Sequence, residues 1–384
     1  MDIHKFTLNE TSYFGEGARK VLPEEIKKRG FKKVLVVTDK SLFEAGVIKK
    51  VTDILDANEI KYAVFSDVLP NPPVENVVAG VEMCKKEKAD LIVAVGGGSS
   101  IDTGKGISIL MTNPTRKVES LNGFSNTKNR GLPMIALPTT AGTAAEVTIN
   151  YVITDPKKKI KMVCVDEHDI PIISIIDTEL MATMPKFIAA TTGMDALTHA
   201  IEGYICKGRN TMSQMFSMRA IQLLYDNLEK AVNKKDQEAI NNVGLGQYIA
   251  GMAFSNVGLG IVHSMAHQLG AVYDTPHGLA NAILLPVVME FNGEVSYEEF
   301  RKILTNAFHI DATDFTKEEV IKTFCECIRN LSYDLGITQT EKDTGAKQED
   351  FEMLAEKAMN DPCKPGNPRE VSKEDFIELY KKAW

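Results

Sequence analysis

The sequence predicts an α/β domain with a parallel sheet over residues 1–185 and an all-helical domain over residues 186–384. Three observations carry that prediction. In the first half, short β-rich runs alternate with amphipathic stretches, the pattern of strands joined by crossover helices. After "IIDTELMATMPK" (175–186) the periodicity turns helical and strand-like runs almost cease. A chain of 384 residues is comfortable for two cores and long for one.

The elements follow in order. "KKVLVVTD" (32–39) reads as a buried strand and "SLFEAGVIKKVTDILDANE" as the helix after it. "YAVFSDV" (62–68) is a second strand, and the prolines of "NPPVENVVAGVEMCKKEKA" open the next helix. "DLIVAVGGG" (90–98) is the third strand and "PMIALPTTAGT" (133–143) the fourth. The lysine run "PKKKIK" (156–161) reads as a solvated hairpin in which alternation puts Lys159 and Lys161 on one face. In the second half, "SQMFSMRAIQLLYDNLEKAV" and "KEDFIELYKKAW" are amphipathic helices.

Composition narrows the function classes. With 44% hydrophobic and 25% charged residues the chain is an ordinary globular protein. A net charge of -8 argues against a nucleic-acid surface, which needs basic clusters. No apolar run approaches the roughly 20 residues that span a bilayer, and the start "MDIHKFTLNET" has no charged-then-apolar leader pattern. The six cysteines are scattered without a CxxC pair. The expectation is a cytoplasmic protein with reduced thiols, no membrane association and small-molecule partners.

Three loops at the predicted strand ends point to a nucleotide. "AVGGGSSIDTGK" (94–105) leads from a strand into a helix. Its three glycines let the backbone turn tightly and leave no Cβ to bar close approach, and the helix N-terminus beyond them offers free N–H groups. The run is neither GxGxxG nor a P-loop, and a tight turn without ligand is the alternative. Asp39 ends the first strand, where a carboxylate accepts ribose hydroxyls and repels a 2′-phosphate, favouring NAD over NADP; a helix N-cap is its alternative role. "PTTAGTAAEVT" (138–148) adds the hydroxyls of Thr139, Thr140 and Thr143.

The helical half carries an unusual polar pattern. In "TTGMDALTHAIEGY" (191–204), Asp195 and His199 stand four apart among Met194, Ala196, Leu197, Ala200 and Ile201, so an acid and an imidazole share one apolar helix face. Three of the seven histidines then fall in "GIVHSMAHQLGAVYDTPHG": His263 and His267, again four apart, and His277 in a turn. An unpaired core carboxylate costs several kcal/mol, and a cation offsets that cost. Nitrogen and oxygen donors without sulfur suit Fe(II), Zn(II), Co(II) or Mn(II) alike. A nucleotide domain beside a metal-bearing domain suggests a cleft for alcohol–aldehyde oxidoreduction.

The segments "GGGSSIDTGK", "ALPTTAGT", "TGMDALTHAIEGY", "GLGIVHSMAHQLG" and "TPHGLANAILLP" resemble the iron-dependent alcohol dehydrogenase family over essentially the whole chain. The resemblance implies that family's fold, akin to dehydroquinate synthase: a Rossmann-like dinucleotide-binding domain and an all-helical metal-binding domain. It implies Asp195, His199, His263 and His277 as ligands of Fe(II), with Zn(II) in related proteins, and His267 beside the substrate in proton transfer. It implies NAD(H) bound through Asp39, Asn71, Gly97, Gly98, Ser99, Asp102, Thr139, Thr140, Thr143, Thr148 and Lys161. Asn150, Val152, Phe254, Leu259 and Cys363 are the expected substrate pocket, and a homodimer paired through the N-terminal strand region is the expected assembly. The chain reads Gly142-Thr143-Ala144-Ala145-Glu146 where the broader family commonly has GTGSE. The implied reaction is reversible reduction of L-lactaldehyde to 1,2-propanediol. The alternatives are another small alcohol (1,3-propanediol, glycerol, ethanol, butanol, methanol) or a lyase resembling dehydroquinate synthase.

Overall fold

The computed structural model describes residues 3–124, 127–158 and 160–384; Lys159 of the lysine run lies outside the described residues. The chain divides into an α/β unit of residues 1–140 and 144–184 and a helical unit of residues 141–143 and 185–384.

In the α/β unit the strands are β1 (Thr11–Gly15), β2 (Lys33–Asp39), β3 (Lys61–Val68), β4 (Leu91–Gly96), β5 (Gly123–Phe124), β6 (Met134–Pro138), β7 (Asn150–Asp155), β8 (Ile160–Val165) and β9 (Ile173–Asp177). The helices are α1 (Leu22–Arg29), α2 (Lys40–Glu44), α3 (Lys49–Ala57), α4 (Val74–Glu87), α5 (Gly98–Thr112) and α6 (Thr178–Met181). Among the described residues six strands form one parallel sheet in the order β1-β9-β6-β4-β2-β3. A smaller sheet, β5-β8-β7, contains the hairpin expected at the lysine run.

The strand period is visible in the core. Leu35, Val37, Ile92 and Ala94 face the layer of α4 and α5, while Val34, Val36, Leu91, Val93 and Val95 face that of α1 and α3. A strand covered on both faces needs no polar alternation, so β4 is buried at every position.

The structure differs from expectation in three places. The helix expected after β2 is two helices, broken at Gly46 with φ +72°. The strand expected over 133–143 stops at Pro138, and Ala141–Thr143 belong with the helical unit. Strands β1 and β9, which local pattern does not reveal, complete one edge of the sheet.

The helical unit comprises α7 (Lys186–Ile205), α8 (Thr211–Lys234), α9 (Gln237–Val257), α10 (Ile261–Tyr273), α11 (His277–Asn306), α12 (Lys317–Asp334), α13 (Phe351–Met359) and α14 (Lys373–Ala383). Every residue of α7 from Gly193 to Ile205 is buried, and so is α10 from Ile261 to Gly270. Helices apolar all round lie in the middle of a bundle. Among the described residues no single helix is long and apolar enough to cross a membrane.

Candidate metal centre

The buried helix α7 brings Asp195 and His199 to one face, α10 adds His263, and the first residue of α11 adds His277. Their ligand atoms all lie within 4.8 Å of one another. Asp195 Oδ1 is the hub, 3.8 Å from His199 Nδ1, 3.8 Å from His263 Nε2 and 3.5 Å from His277 Nε2. These distances exceed hydrogen bonds. Four donors at about 2.1 Å around one ion stand about 3.4 Å apart, so the spacing fits a shared cation.

The donor set passes a second test. His199 Nδ1 is buried and has no hydrogen-bond partner, a rare state for a ring nitrogen unless an ion completes it. Burial pushes the His199 imidazole down to about 3 against the pull of Asp195, so the ring is a neutral donor. Burial alone would raise the Asp195 carboxyl, but His199, His277 and His263 together hold it well below the usual carboxylate range. Burial alone would lower the His263 imidazole, but Asp195 and Glu202 raise it to about 9, so a cation taken up there displaces its proton. Three imidazole nitrogens and one carboxylate would then leave a divalent ion with a net positive charge, as electrophilic chemistry requires.

Neighbouring groups orient the candidate ligands. Glu202 Oε2 lies 2.6 Å from His263 Nδ1, and its Oε1 accepts the Val262 N–H at 2.8 Å. A carboxylate on Nδ1 turns Nε2 towards the cluster. The Asn281 amide nitrogen lies 2.6 Å from Asp195 Oδ1 and 3.2 Å from Nε2 of both His263 and His277. Phe254 stacks on His199 with centroids 4.2 Å apart. A Cβ on Gly142 would lie 2.9 Å from Thr192 Cβ and 3.1 Å from Asp195 Oδ2, so the close approach there requires glycine.

His267 stands beside the cluster. Its ring stacks on His277 at 5.5 Å, and its Nδ1 lies 2.9 Å from Asp361 Oδ2. Of the expected pocket residues in this unit, Phe254 and Leu259 are buried, and Cys363 contributes its backbone N–H to Asp361 Oδ1 at 2.9 Å.

In the α/β unit, the loop after β4 is built as the glycines suggest. Gly97 caps α5 without any side-chain hydrogen bond, which leaves the first-turn N–H groups of Gly98 and Ser99 without a side-chain cap. A Cβ on Gly96 would lie 2.3 Å from Ser100 Oγ, and one on Gly97 3.2 Å from Thr140 Cγ2. Thr139 N–H donates to the Gly96 carbonyl at 2.9 Å, so the loops after β4 and β6 are joined. Asp39 caps α2 through Oδ1, 3.0 Å from Leu42 N. Lys161 Nζ donates to Asn71 Oδ1 at 2.9 Å, pairing two candidates from distant parts of the chain.

Other candidates are engaged inside the unit. Asp102 Oδ2 accepts the Val152 N–H at 3.0 Å, and burial raises its carboxyl to about 7 against the pull of Lys105. Thr148 is buried, with its hydroxyl 3.1 Å and its carbonyl 2.5 Å from Lys105 Nζ. The same ammonium donates to the Asn150 carbonyl at 2.9 Å and lies 3.4 Å from Asp169 Oδ1. Thr143 belongs to the helical unit.

Sequence reasoning missed Glu202, Asn281, Asp361 and Lys105. Two of them obey the rule that found the ligands: Glu202 is three residues beyond His199, and Asn281 four beyond His277, each polar on an apolar helix. Lys105 sits on the buried helix α5, three residues beyond Asp102. Asp361, in the aperiodic "NDPCKPGNP", carries no such signal.

Comparison with known proteins agrees with this geometry. The profile described as "Iron-containing alcohol dehydrogenase" matches residues 9–178, and "Fe-containing alcohol dehydrogenase family, C-terminal" matches residues 189–384. Lactaldehyde reductase of Escherichia coli (strain K12) is 47% identical over 382 residues, covering 99% of this chain and 100% of that protein. A crystal structure of 1,3-propanediol oxidoreductase superposes with a TM-score of 0.95 at 38% identity, covering 100% of both chains. Sulfoacetaldehyde reductase from Bifidobacterium kashiwanohense, solved in complex with NAD+, superposes with a TM-score of 0.88 at 26% identity, covering 100% of this chain and 99% of that one. Matched by family profiles in both halves and by a full-length relative, the chain belongs to the iron-containing alcohol dehydrogenase family.

Proposed function

We propose that this enzyme reversibly reduces L-lactaldehyde to 1,2-propanediol, using NADH and a divalent metal, Fe(II) by family, held by Asp195, His199, His263 and His277. The buried cluster of one carboxylate and three imidazoles is the observation that carries the metal-dependent chemistry. The 47% identity to E. coli lactaldehyde reductase supports the substrate, and the NAD+ complex of sulfoacetaldehyde reductase supports the cofactor. When bound, the cation supplies Lewis acidity towards the carbonyl oxygen and NADH supplies the hydride.

The chain's own residues do the rest. The uncapped N–H groups at Gly98 and Ser99, with the α5 dipole behind them, receive pyrophosphate. Asp39 spends Oδ1 on its helix cap and offers Oδ2 to ribose. Thr139 and Thr140 border the same loop, while Asn71 and Lys161 act as a pair. Phe254, stacked on His199, forms an apolar wall that excludes water. His267 supplies the proton that the product oxygen needs. Thr148 acts indirectly, by seating Lys105. The chain acts as a homodimer: β1 is a sheet edge with Phe14 60% exposed, an edge a second copy can pair with.

The test is NADH oxidation against a panel of lactaldehyde, 3-hydroxypropionaldehyde, acetaldehyde, butyraldehyde and formaldehyde, using apo, iron-loaded and zinc-loaded protein. Highest kcat/KM on lactaldehyde with metal present is the expected result. A clear preference for another aldehyde overturns the substrate, and full activity in the apo protein overturns the metal. Asp39→Gly tests the cofactor: the ratio of NADPH to NADH activity should rise at least about tenfold, from loss of one charge repulsion. An unchanged ratio removes Asp39 from the ribose site.

A further inference from the structure

Asp361 is 8% exposed, and three nitrogens converge on its two carboxylate oxygens. Oδ1 accepts the Cys363 backbone N–H at 2.9 Å. Oδ2 lies 3.2 Å from Gln268 Nε2 and 2.9 Å from His267 Nδ1. The Gln268 amide is oriented independently, because the same Nε2 donates to the Ser264 carbonyl at 3.0 Å. A backbone N–H and an amide N–H can only donate, so the carboxyl presents acceptors to both.

We propose that Asp361 is a positioning residue that holds the proton of neutral His267 on Nδ1, so that Nε2 is the nitrogen that exchanges a proton with the substrate oxygen. An ionised carboxylate offers only acceptors, so a ring nitrogen beside it is satisfied by donating. An amide in its place would set an N–H against Gln268 or Cys363. The fixed Nδ1–H···Oδ2 bond also sets the ring plane, which lies parallel to His277 within 14°. His267 is thereby held next to the ligand cluster while its own Nδ1 is committed elsewhere, which separates it chemically from the four ligands.

This inference rests on the proposed reduction. There the proton leaves Nε2 of the imidazolium for the product oxygen while hydride from the nucleotide adds to the carbonyl carbon. Solvent then reprotonates Nε2, and the Nδ1 proton stays with Asp361 throughout. One hydride and one proton convert RCHO to RCH2OH, and NADH leaves as NAD+.

The experiment uses zinc-loaded, diamagnetic enzyme labelled with 15N-histidine, with His267→Ala assigning the His267 signals. Neutral His267 in the wild type should show a protonated Nδ1 and an unprotonated Nε2. In Asp361→Asn, whose amide keeps the shape of the carboxylate, that pattern should be lost or mixed. Bound zinc should remain near one per chain in the variant. Its kcat should fall by on the order of 10²-fold with KM for NADH unchanged. Asp361→Asn added to His267→Ala should cause no further loss. A wild-type tautomer protonated at Nε2 overturns the proposal, and so does an Asp361→Asn enzyme with unaltered tautomer and kcat. If the wild type reduces no aldehyde in the panel, the proposed reaction fails, and the tautomer measurement still decides the role of Asp361.

Discussion

Asp195 shows what one side chain contributes when water is absent. Its carboxylate is 1% exposed and surrounded by His199, His263, His277 and Asn281. Asp195→Ala or His263→Ala should lower bound metal from about one ion per chain to near zero and abolish turnover together with it; metal analysis beside NADH assays checks this. Glu202→Gln tests the layer behind the ligands. It keeps the shape but loses the charge on His263 Nδ1, and metal affinity should drop about 10- to 100-fold in a chelator competition. Ala144 carries a different kind of information. It is buried at φ +50°, where the wider family places glycine in its GTGSE pattern. A left-handed conformation costs a Cβ-bearing residue roughly 1–2 kcal/mol, and the greater freedom of unfolded glycine returns part of that. Ala144→Gly should therefore stabilise the protein by about 0.5–1 kcal/mol, measured by urea unfolding; a loss of stability would show that the methyl packs well enough to outweigh the strain.

The glycine of α7 has a purpose at the level of helices. A Cβ on Gly193 would lie 2.2 Å from Leu228 Cδ2 on α8, so the absence of a side chain sets how closely α7 and α8 approach. Gly193→Ala should cost about 1–2 kcal/mol, the overpacking penalty less the gain in helix propensity. Gly193→Ala with Leu228→Ala should cost less than the sum of the two single changes, which thermal denaturation of the three variants decides. Because Asp195 and His199 ride on α7, the double variant should also keep its metal. Long, strongly periodic elements such as α8 and the buried β4 were legible in the sequence, because their hydrophobic period is that of the element. Strands β1 and β9, at one side of the sheet, were not. Each is only five residues long and is recognisable as a strand through its partner: Thr11 pairs with Ile173, and Ile135 with the same Ile173 from the other side.

Across the molecule, pH acts through buried charge. Glu341 is fully buried, neither carboxylate oxygen has a hydrogen-bond partner, and burial pushes its carboxyl up to about 9. The folded protein therefore keeps this proton between the ordinary glutamate value of 4.5 and about 9, whereas the unfolded chain releases it. The folded state then binds more protons than the unfolded one, so stability falls as pH rises through that window, by up to about 1.4 kcal/mol per pH unit from this group. Glu341→Gln should match the wild type near pH 5 and exceed it in stability at pH 8. Equal pH slopes in denaturant titrations would assign the proton to another group.

Local pattern was enough to establish the parallel α/β plan, the helical second half and five polar candidates, from which the family resemblance took the four that the cluster joins. Hydrophobic period and the i, i+4 pairs Asp195/His199 and His263/His267 carry that much, because any single segment expresses them. It took the packed fold to bring Asp195, His199, His263 and His277 within 4.8 Å from α7, α10 and α11. Packing also set Glu202 behind His263, Asn281 among the ligands and Asp361 on His267. It also set the Thr148 hydroxyl 3.1 Å from Lys105 Nζ. The reason is physical: burial, and the hydrogen-bond partners that burial demands, join chain segments as far apart as His267 and Asp361, 94 residues, and a local pattern carries no record of them.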